Sequence, residues 1–278
     1  MDVIKIEDLE VFAHHGVLEE ETRNGQKFYV NAKLYTKTRA AGIRDSLYHS
    51  THYGEVCEFI TNHMKEHTYL LIERVAEMLA QGILIDFPNL RGITIEIRKP
   101  YAPIPLLFKS VSVEITRCWH QVYVAVGSNM GNSYEYIQEA VDKIQRDGLC
   151  KGVQVSQLIK TKPYGGVEQD DFVNGVMQLE TLYEPLEFLH KLQEIEEEAN
   201  RERVIHWGPR TLDLDILYYD NEILYSKELT IPHYDMLNRD FVLRPLAQLD
   251  PYVLHPIEKK TSERLLQELE QKLQIETE

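Results

Sequence analysis

The chain has 278 residues, 43% of them hydrophobic and 27% charged, and its formal net charge is −15. That is enough chain for two ordinary soluble domains. The acidic balance excludes a sequence-independent nucleic-acid binder, which needs a basic surface against phosphate backbones, and no apolar run is long enough to span a membrane.

The N-terminal stretch is acidic and alternating, unlike a signal peptide. Cys57, Cys118 and Cys150 lie far apart with no CxxC. Reduced thiols in a cytoplasmic protein are the expectation.

In chain order, residues 3–16 and 26–39 alternate as strands, and 52–67 and 69–84 carry helical apolar spacing. Residues 92–100 and 110–119 alternate again, and the prolines of 101–108 make the stretch between them a loop. From about residue 123 the pattern restarts. A strand ends at a Gly-Ser-Asn turn (127–129), and a helix over 133–148 stops at Gly148. Strands follow at 153–161 and 172–183, then a helix from Pro185, then a strand over 211–219. The predicted fold class is α+β in two domains, 1–119 and 120–278. The first is a ββααββ unit and the second a ferredoxin-like βαββαβ unit with added helices. The amphipathic segment 262–273 reads as packing.

In WGPRTLDLDIL (207–217), Asp213 and Asp215 project from one face of a strand while Leu212, Leu214 and Ile216 face the core. Two readings stay open, a solvated acidic face or a site for Mg²⁺, which takes one or two carboxylates plus substrate phosphates. Arg201, Arg203 and Arg210 lie within ten positions, and arginine grips phosphate oxygens through its planar fork. Arg201 and Arg203 could instead pair with Glu196–Glu198. Taken together, the carboxylates and arginines point to phosphoryl-type transfer from a nucleoside triphosphate. No P-loop motif is present. The Gly165-Gly166 segment is an ordinary connection or a lid.

RERVIHWGPRTLDLDIL (201–217), IPHYDMLNRDFVLRPL (231–246) and GSN (127–129) together resemble hydroxymethyl-dihydropterin pyrophosphokinase, over roughly residues 121–260. The resemblance implies ATP as co-substrate and two Mg²⁺ ions on Asp213 and Asp215. Arg201, Arg203 and Arg210 would act on the phosphates. Gln193, Glu196, Trp207, His233, Tyr234 and Arg239 would surround ATP. Phe172, Phe241, Asn174 and Thr161 would hold the pterin, the two phenylalanines by stacking. His206 and Phe172 depart from the family's usual arginine and tyrosine.

FAHHGVLEEETRNGQKF (12–28), THYGEV (51–56), LLIERVAE (70–77) and IRKPYAPIP (97–105) occur in the order found in dihydroneopterin aldolase, which residues 1–118 resemble. That implies a tunnel-type (T-fold) domain forming homo-oligomeric rings, and a retro-aldol cleavage using neither metal nor Schiff base. Lys99 would be the general acid/base, Tyr53 a proton relay, Glu21 a substrate contact or an orienter of Lys99, and Glu73 the pterin anchor. From the residues alone, Glu73 is expected at least partly buried, with a salt bridge as its other reading. Leu106-Leu107 replaces the family's glycine.

The product of the first reaction is the substrate of the second, so the expectation is one bifunctional folate-pathway enzyme acting on small pterins. Two rivals are a metal-dependent nucleotide hydrolase and a pyrophosphokinase on a non-catalytic scaffold.

Overall fold

A computed structural model describes residues 1–162, 170–199 and 211–277. The chain divides into two compact units, Met1–Trp119 and His120–Glu278.

The first unit runs β1 (Asp2–Ala13), α1 (Glu19–Asn24), β2 (Gln26–Thr36), α2 (Arg39–Arg44), α3 (Tyr53–Glu66), α4 (Ile72–Asp86), β3 (Gly92–Lys99) and β4 (Val111–Cys118). Its four strands form one antiparallel sheet in sequence order. The period-two pattern of β2 and β3 turns Phe28, Val30, Ala32, Leu34, Ile93, Ile95 and Ile97 inward, each at most 2% exposed. Against this face lie Val56, Ile60 and Met64 of α3 and Val75, Leu79 and Ile83 of α4, all fully buried. The long first strand is bent by a register shift between Ile6 and Leu9, where Asp8 takes φ +53° and donates its N–H to Asn31. Aspartate tolerates that conformation better than most residues.

The second unit runs β5 (His120–Ser128), α5 (Ser133–Arg146), β6 (Cys150–Val155), β7 (Ile159–Thr161), β8 (Phe172–Thr181), α6 (Pro185–Glu198), β9 (Asp213–Tyr219), β10 (Leu224–Tyr225), β11 (Thr230–Ile231), α7 (Asp240–Leu249) and α8 (Ser262–Thr277). The main sheet is ordered β6-β8-β5-β9, with β7 also on β8, and its pairings are antiparallel. That is the ferredoxin-like order, with α7 and α8 as the added helices. The expected single strand over 153–161 is split between β6 and β7. At the break the Ser156 hydroxyl accepts the Val176 N–H at 3.0 Å, taking the place of a ladder carbonyl.

Both faces of this sheet are covered. Val122, Val124, Val126, Leu214 and Ile216 face the core that includes residues of α5 and α6. Tyr123, Val176, Leu217 and Tyr218 face the core shared with α7 and α8. A register shift opposite Tyr123 and Val124 leaves Leu217 as an extra residue in β9. This bulge puts Leu217 and Tyr218 in the same core. Among the described residues, no helix is long and apolar enough to cross a membrane.

Candidate active sites

The first candidate site starts from one buried ion pair. Lys99, the last residue of β3, and Glu21, on α1, are each 9% exposed. Their Nζ and Oε1 atoms lie 2.6 Å apart. Burial pushes the Glu21 carboxyl up, but Lys99, the Leu18 N–H and Gln26 all favour the ionised form, and the net result lies below the ordinary carboxylate value. The Lys99 ammonium also lies 5.9 Å from the Phe28 ring centroid. Gly16 lies against this pair. A Cβ there would fall 2.5 Å from the Glu21 carboxyl carbon, so Gly16→Ala is expected to displace the carboxylate from Lys99 and destabilise the first unit by about 1–3 kcal/mol, measurable by urea unfolding.

Tyr53 is 63% exposed, as the first residue of α3. Glu73 is exposed too, which corrects the expectation of partial burial. The reason is position along the helix. α4 begins at Ile72 and its buried stripe runs through Val75, Ala76, Leu79, Ala80, Ile83 and Leu84, and Glu73 borders that stripe in the first turn, where it and Arg74 stay exposed. Leu70 and Leu71, read as helical flanks, precede the helix and are 64% and 52% exposed. Val17 and Leu18 are similarly open. Leu106 is 75% exposed and is not among the residues with positive φ, so the loop takes a shape that needs no glycine there.

In the second unit, β8, β5 and β9 place Asn174, Gly127 and Asp213 directly opposite one another. Directly paired residues share a face, so Phe172, Asn174, Gly127, Ala125, Asp213 and Asp215 all line one surface. Two strand spacings separate Asn174 from Asp213, about 10 Å. Gly127 keeps the middle of this row low, since a Cβ there would meet Asn174 Oδ1 at 2.8 Å. Asn174 is 8% exposed and donates Nδ2–H to the Thr161 hydroxyl at 2.7 Å. Phe241, on α7, packs over the same face, with the Arg239 guanidinium 5.9 Å from its ring centroid.

Arg239 is held by Asp235 at 2.9 Å and reaches Asp215 at 4.0 Å. His233 Nε2 lies 3.9 Å from Asp215. Burial first, then Arg239, push His233 down to about 4, so at neutral pH this approach is not an ion pair. His233 Nδ1 accepts the Asp235 N–H, which assigns the ring proton to Nε2. Tyr234 stacks on His233 and is 73% exposed.

On α6, Gln193 is exposed and Glu196 is 3% exposed. The Glu196 carboxylate accepts the Leu214 N–H at 2.8 Å. It therefore holds β9 at the residue between the two aspartates. Glu196→Ala leaves that buried N–H without its acceptor and is expected to destabilise the unit by about 1–3 kcal/mol, measurable by urea unfolding. Paired hard carboxylates, with the Asp215 side chain 39% exposed, fit a magnesium site. Arg201, Arg203, His206, Trp207, Arg210 and the Gly165-Gly166 segment lie outside the described residues.

Sequence reasoning missed His15, Gly16 and Gly127 as shaping residues. The motif strings contain all three, but only cross-strand pairing and loop closure reveal what they touch.

The family model for 7,8-dihydro-6-hydroxymethylpterin-pyrophosphokinase (HPPK) matches residues 123–251, and that for dihydroneopterin aldolase matches residues 4–116. A 2-amino-4-hydroxy-6-hydroxymethyldihydropteridine pyrophosphokinase of Pseudomonas aeruginosa is 48% identical over 131 residues, 47% of this chain and 81% of that protein. The folic acid synthesis protein fol1 of Pneumocystis carinii is 32% identical over 275 residues, 92% of this chain. This chain spans only 36% of the fungal protein's length. Among solved structures, E. coli dihydroneopterin aldolase in complex with neopterin is 30% identical, covers 42% of this chain and 99% of its own, and gives a TM-score of 0.40.

Proposed function

The chain belongs to the dihydroneopterin aldolase family through residues 4–116 and to the pyrophosphokinase family through residues 123–251, and from this premise we propose that it performs two successive steps on one pterin. The first is retro-aldol cleavage of dihydroneopterin to hydroxymethyl-dihydropterin and glycolaldehyde. The second is Mg²⁺-dependent transfer of pyrophosphate from ATP to the new hydroxymethyl group, releasing AMP. The observation that carries this reading is the row Asn174–Gly127–Asp213, which sets a pterin-type hydrogen-bonding residue beside paired carboxylates on one sheet face.

In the first step Lys99 acts as general acid and base. A retro-aldol cut needs a proton removed from the side-chain hydroxyl and one returned to the carbon that keeps the electron pair. Glu21 orients Lys99, Tyr53 relays protons, and Glu73 accepts paired N–H bonds from the pterin edge. Exposed Tyr53 and Glu73 suit a site completed by a second subunit of a homo-oligomer, across the apolar surface of Val17, Leu18, Leu70 and Leu71.

In the second step Phe172 and Phe241 sandwich the pterin, with Asn174 and Thr161 at its edge. Gln193, Trp207, His233, Tyr234 and Arg239 surround ATP, and Glu196 supports that site through β9. Arg201, Arg203 and Arg210 stabilise the transferred phosphates. Asp213 and Asp215 would hold two Mg²⁺ ions, which neutralise phosphate charge when bound. The aldolase step takes no cofactor, and the setting is cytoplasmic.

One incubation of the purified chain with dihydroneopterin and Mg-ATP, following glycolaldehyde and AMP together, tests the reading. Both products, with AMP dependent on a pterin, are expected. AMP formed only from supplied hydroxymethyl-dihydropterin would leave a scaffold in place of the aldolase. AMP or ADP formed without pterin would make the second unit a hydrolase.

A further inference from the structure

The aldolase half buries an imidazole that the proposed chemistry does not use. His15 is 0% exposed. Its Nδ1 accepts the Tyr69 N–H at 3.2 Å, and the adjacent Gly16 N–H donates to the Tyr69 carbonyl at 3.0 Å. These two bonds clasp the loop leaving β1 to the loop entering α4. The His15 ring stacks on Tyr69, centroids 5.7 Å apart, and meets Phe28 edge-on at 5.4 Å. The Tyr69 hydroxyl reaches His63 of α3 at 3.0 Å.

On one side of the clasp, Gly16 lies against the Glu21 carboxylate, which is paired with Lys99. On the other, Tyr69 lies three residues before α4, whose first turn carries Glu73. We propose that His15 is a positioning residue: by accepting the Tyr69 N–H it sets the Glu73-bearing start of α4 against the Glu21–Lys99 pair. The proposal rests on the reading of Lys99 as acid/base and Glu73 as pterin anchor given above.

The clasp requires a neutral ring, since a protonated Nδ1 would set one donor against another. Burial first, then the nearby His63, Lys99, His14 and His67, push His15 down to about 4, so the acceptor persists at neutral pH. A large apolar side chain would fill the slot between Phe28 and Tyr69 equally well. What histidine adds is the acceptor.

The test compares His15→Asn, which keeps an acceptor near the Nδ1 position, with His15→Leu, which is of similar size and has none. Both are assayed in the full chain for glycolaldehyde release, with Lys99→Ala alongside. His15→Leu is expected to raise the dihydroneopterin KM about tenfold or more with kcat within about threefold, because the anchor shifts while the Lys99–Glu21 pair stays. His15→Asn should keep KM within about threefold of the unsubstituted chain. Equal KM values for the two variants overturn the proposal. Should His15→Leu fail to fold, His15→Asn decides alone. A folded variant with near-normal KM supports the proposal, and one with a large KM increase, or one that also fails to fold, overturns it. Release surviving in Lys99→Ala overturns the site assignment itself, and the proposal with it. Release lost in Lys99→Ala but unmoved by either His15 variant overturns the proposal alone.

Discussion

Asp213→Asn and Asp215→Asn are each expected to abolish ATP-dependent pyrophosphate transfer, by on the order of 10³-fold or more, while leaving glycolaldehyde release within about twofold. The substitution keeps shape and removes charge, so it tests electrostatics rather than packing. The local structure should survive it. Arg239 is already held by Asp235 at 2.9 Å and approaches Asp215 only to 4.0 Å. His233, pushed down to about 4, does not depend on Asp215 for a counter-charge at neutral pH. The strand itself is fixed by β5 on one side and by the Glu196 bond to Leu214 on the other. What the asparagines lack is the pair of anionic oxygens that a magnesium–triphosphate complex requires. Transfer measured across a Mg²⁺ titration, with aldol cleavage as the internal control, checks this. Retained transfer at any Mg²⁺ concentration sinks the metal assignment. Loss of both activities together would point to unfolding.

The alternation in residues 211–219 was enough to place a strand, and to say which side chains share a face, because strand side chains repeat every two residues regardless of partner. The row that joins Asp213 to Asn174 was not legible. It depends on β5 lying between β8 and β9, a non-local pairing that no local pattern encodes. Glu196 shows a related limit. Its helical spacing from Gln193 was readable, but its burial against the Leu214 N–H depends on where α6 meets β9. Glu73 failed for a smaller reason. The helix starts at Ile72, three residues later than the apolar spacing from Tyr69 suggested, which leaves Glu73 in the exposed first turn. Ser156 interrupted an apparently continuous strand because its hydroxyl competes for a backbone donor.

Lys99→Ala is expected to lower glycolaldehyde release by on the order of 10³-fold or more, since the general acid/base contributes roughly 10²–10⁴ and no other cation is paired with Glu21 among the described residues. The variant carries a second consequence that separates chemistry from stability. Glu21 is buried, and its carboxyl lies below the ordinary value because Lys99, Leu18 and Gln26 outweigh the opposing effect of burial. A depressed carboxyl contributes stability that is present above its unfolded value and lost as pH falls through the folded one. Removing Lys99 takes away the strongest of those stabilising partners, so burial prevails, the Glu21 value climbs, and the loss of stability that Glu21 contributes on acidification shrinks or reverses. Breaking a buried pair by one partner costs about 3–5 kcal/mol, and the double variant Lys99→Ala/Glu21→Gln should recover much of that loss by removing the stranded charge. It should recover none of the aldol activity. A double variant that regains cleavage along with stability would show that Lys99 supports the fold of the site and does not handle the proton.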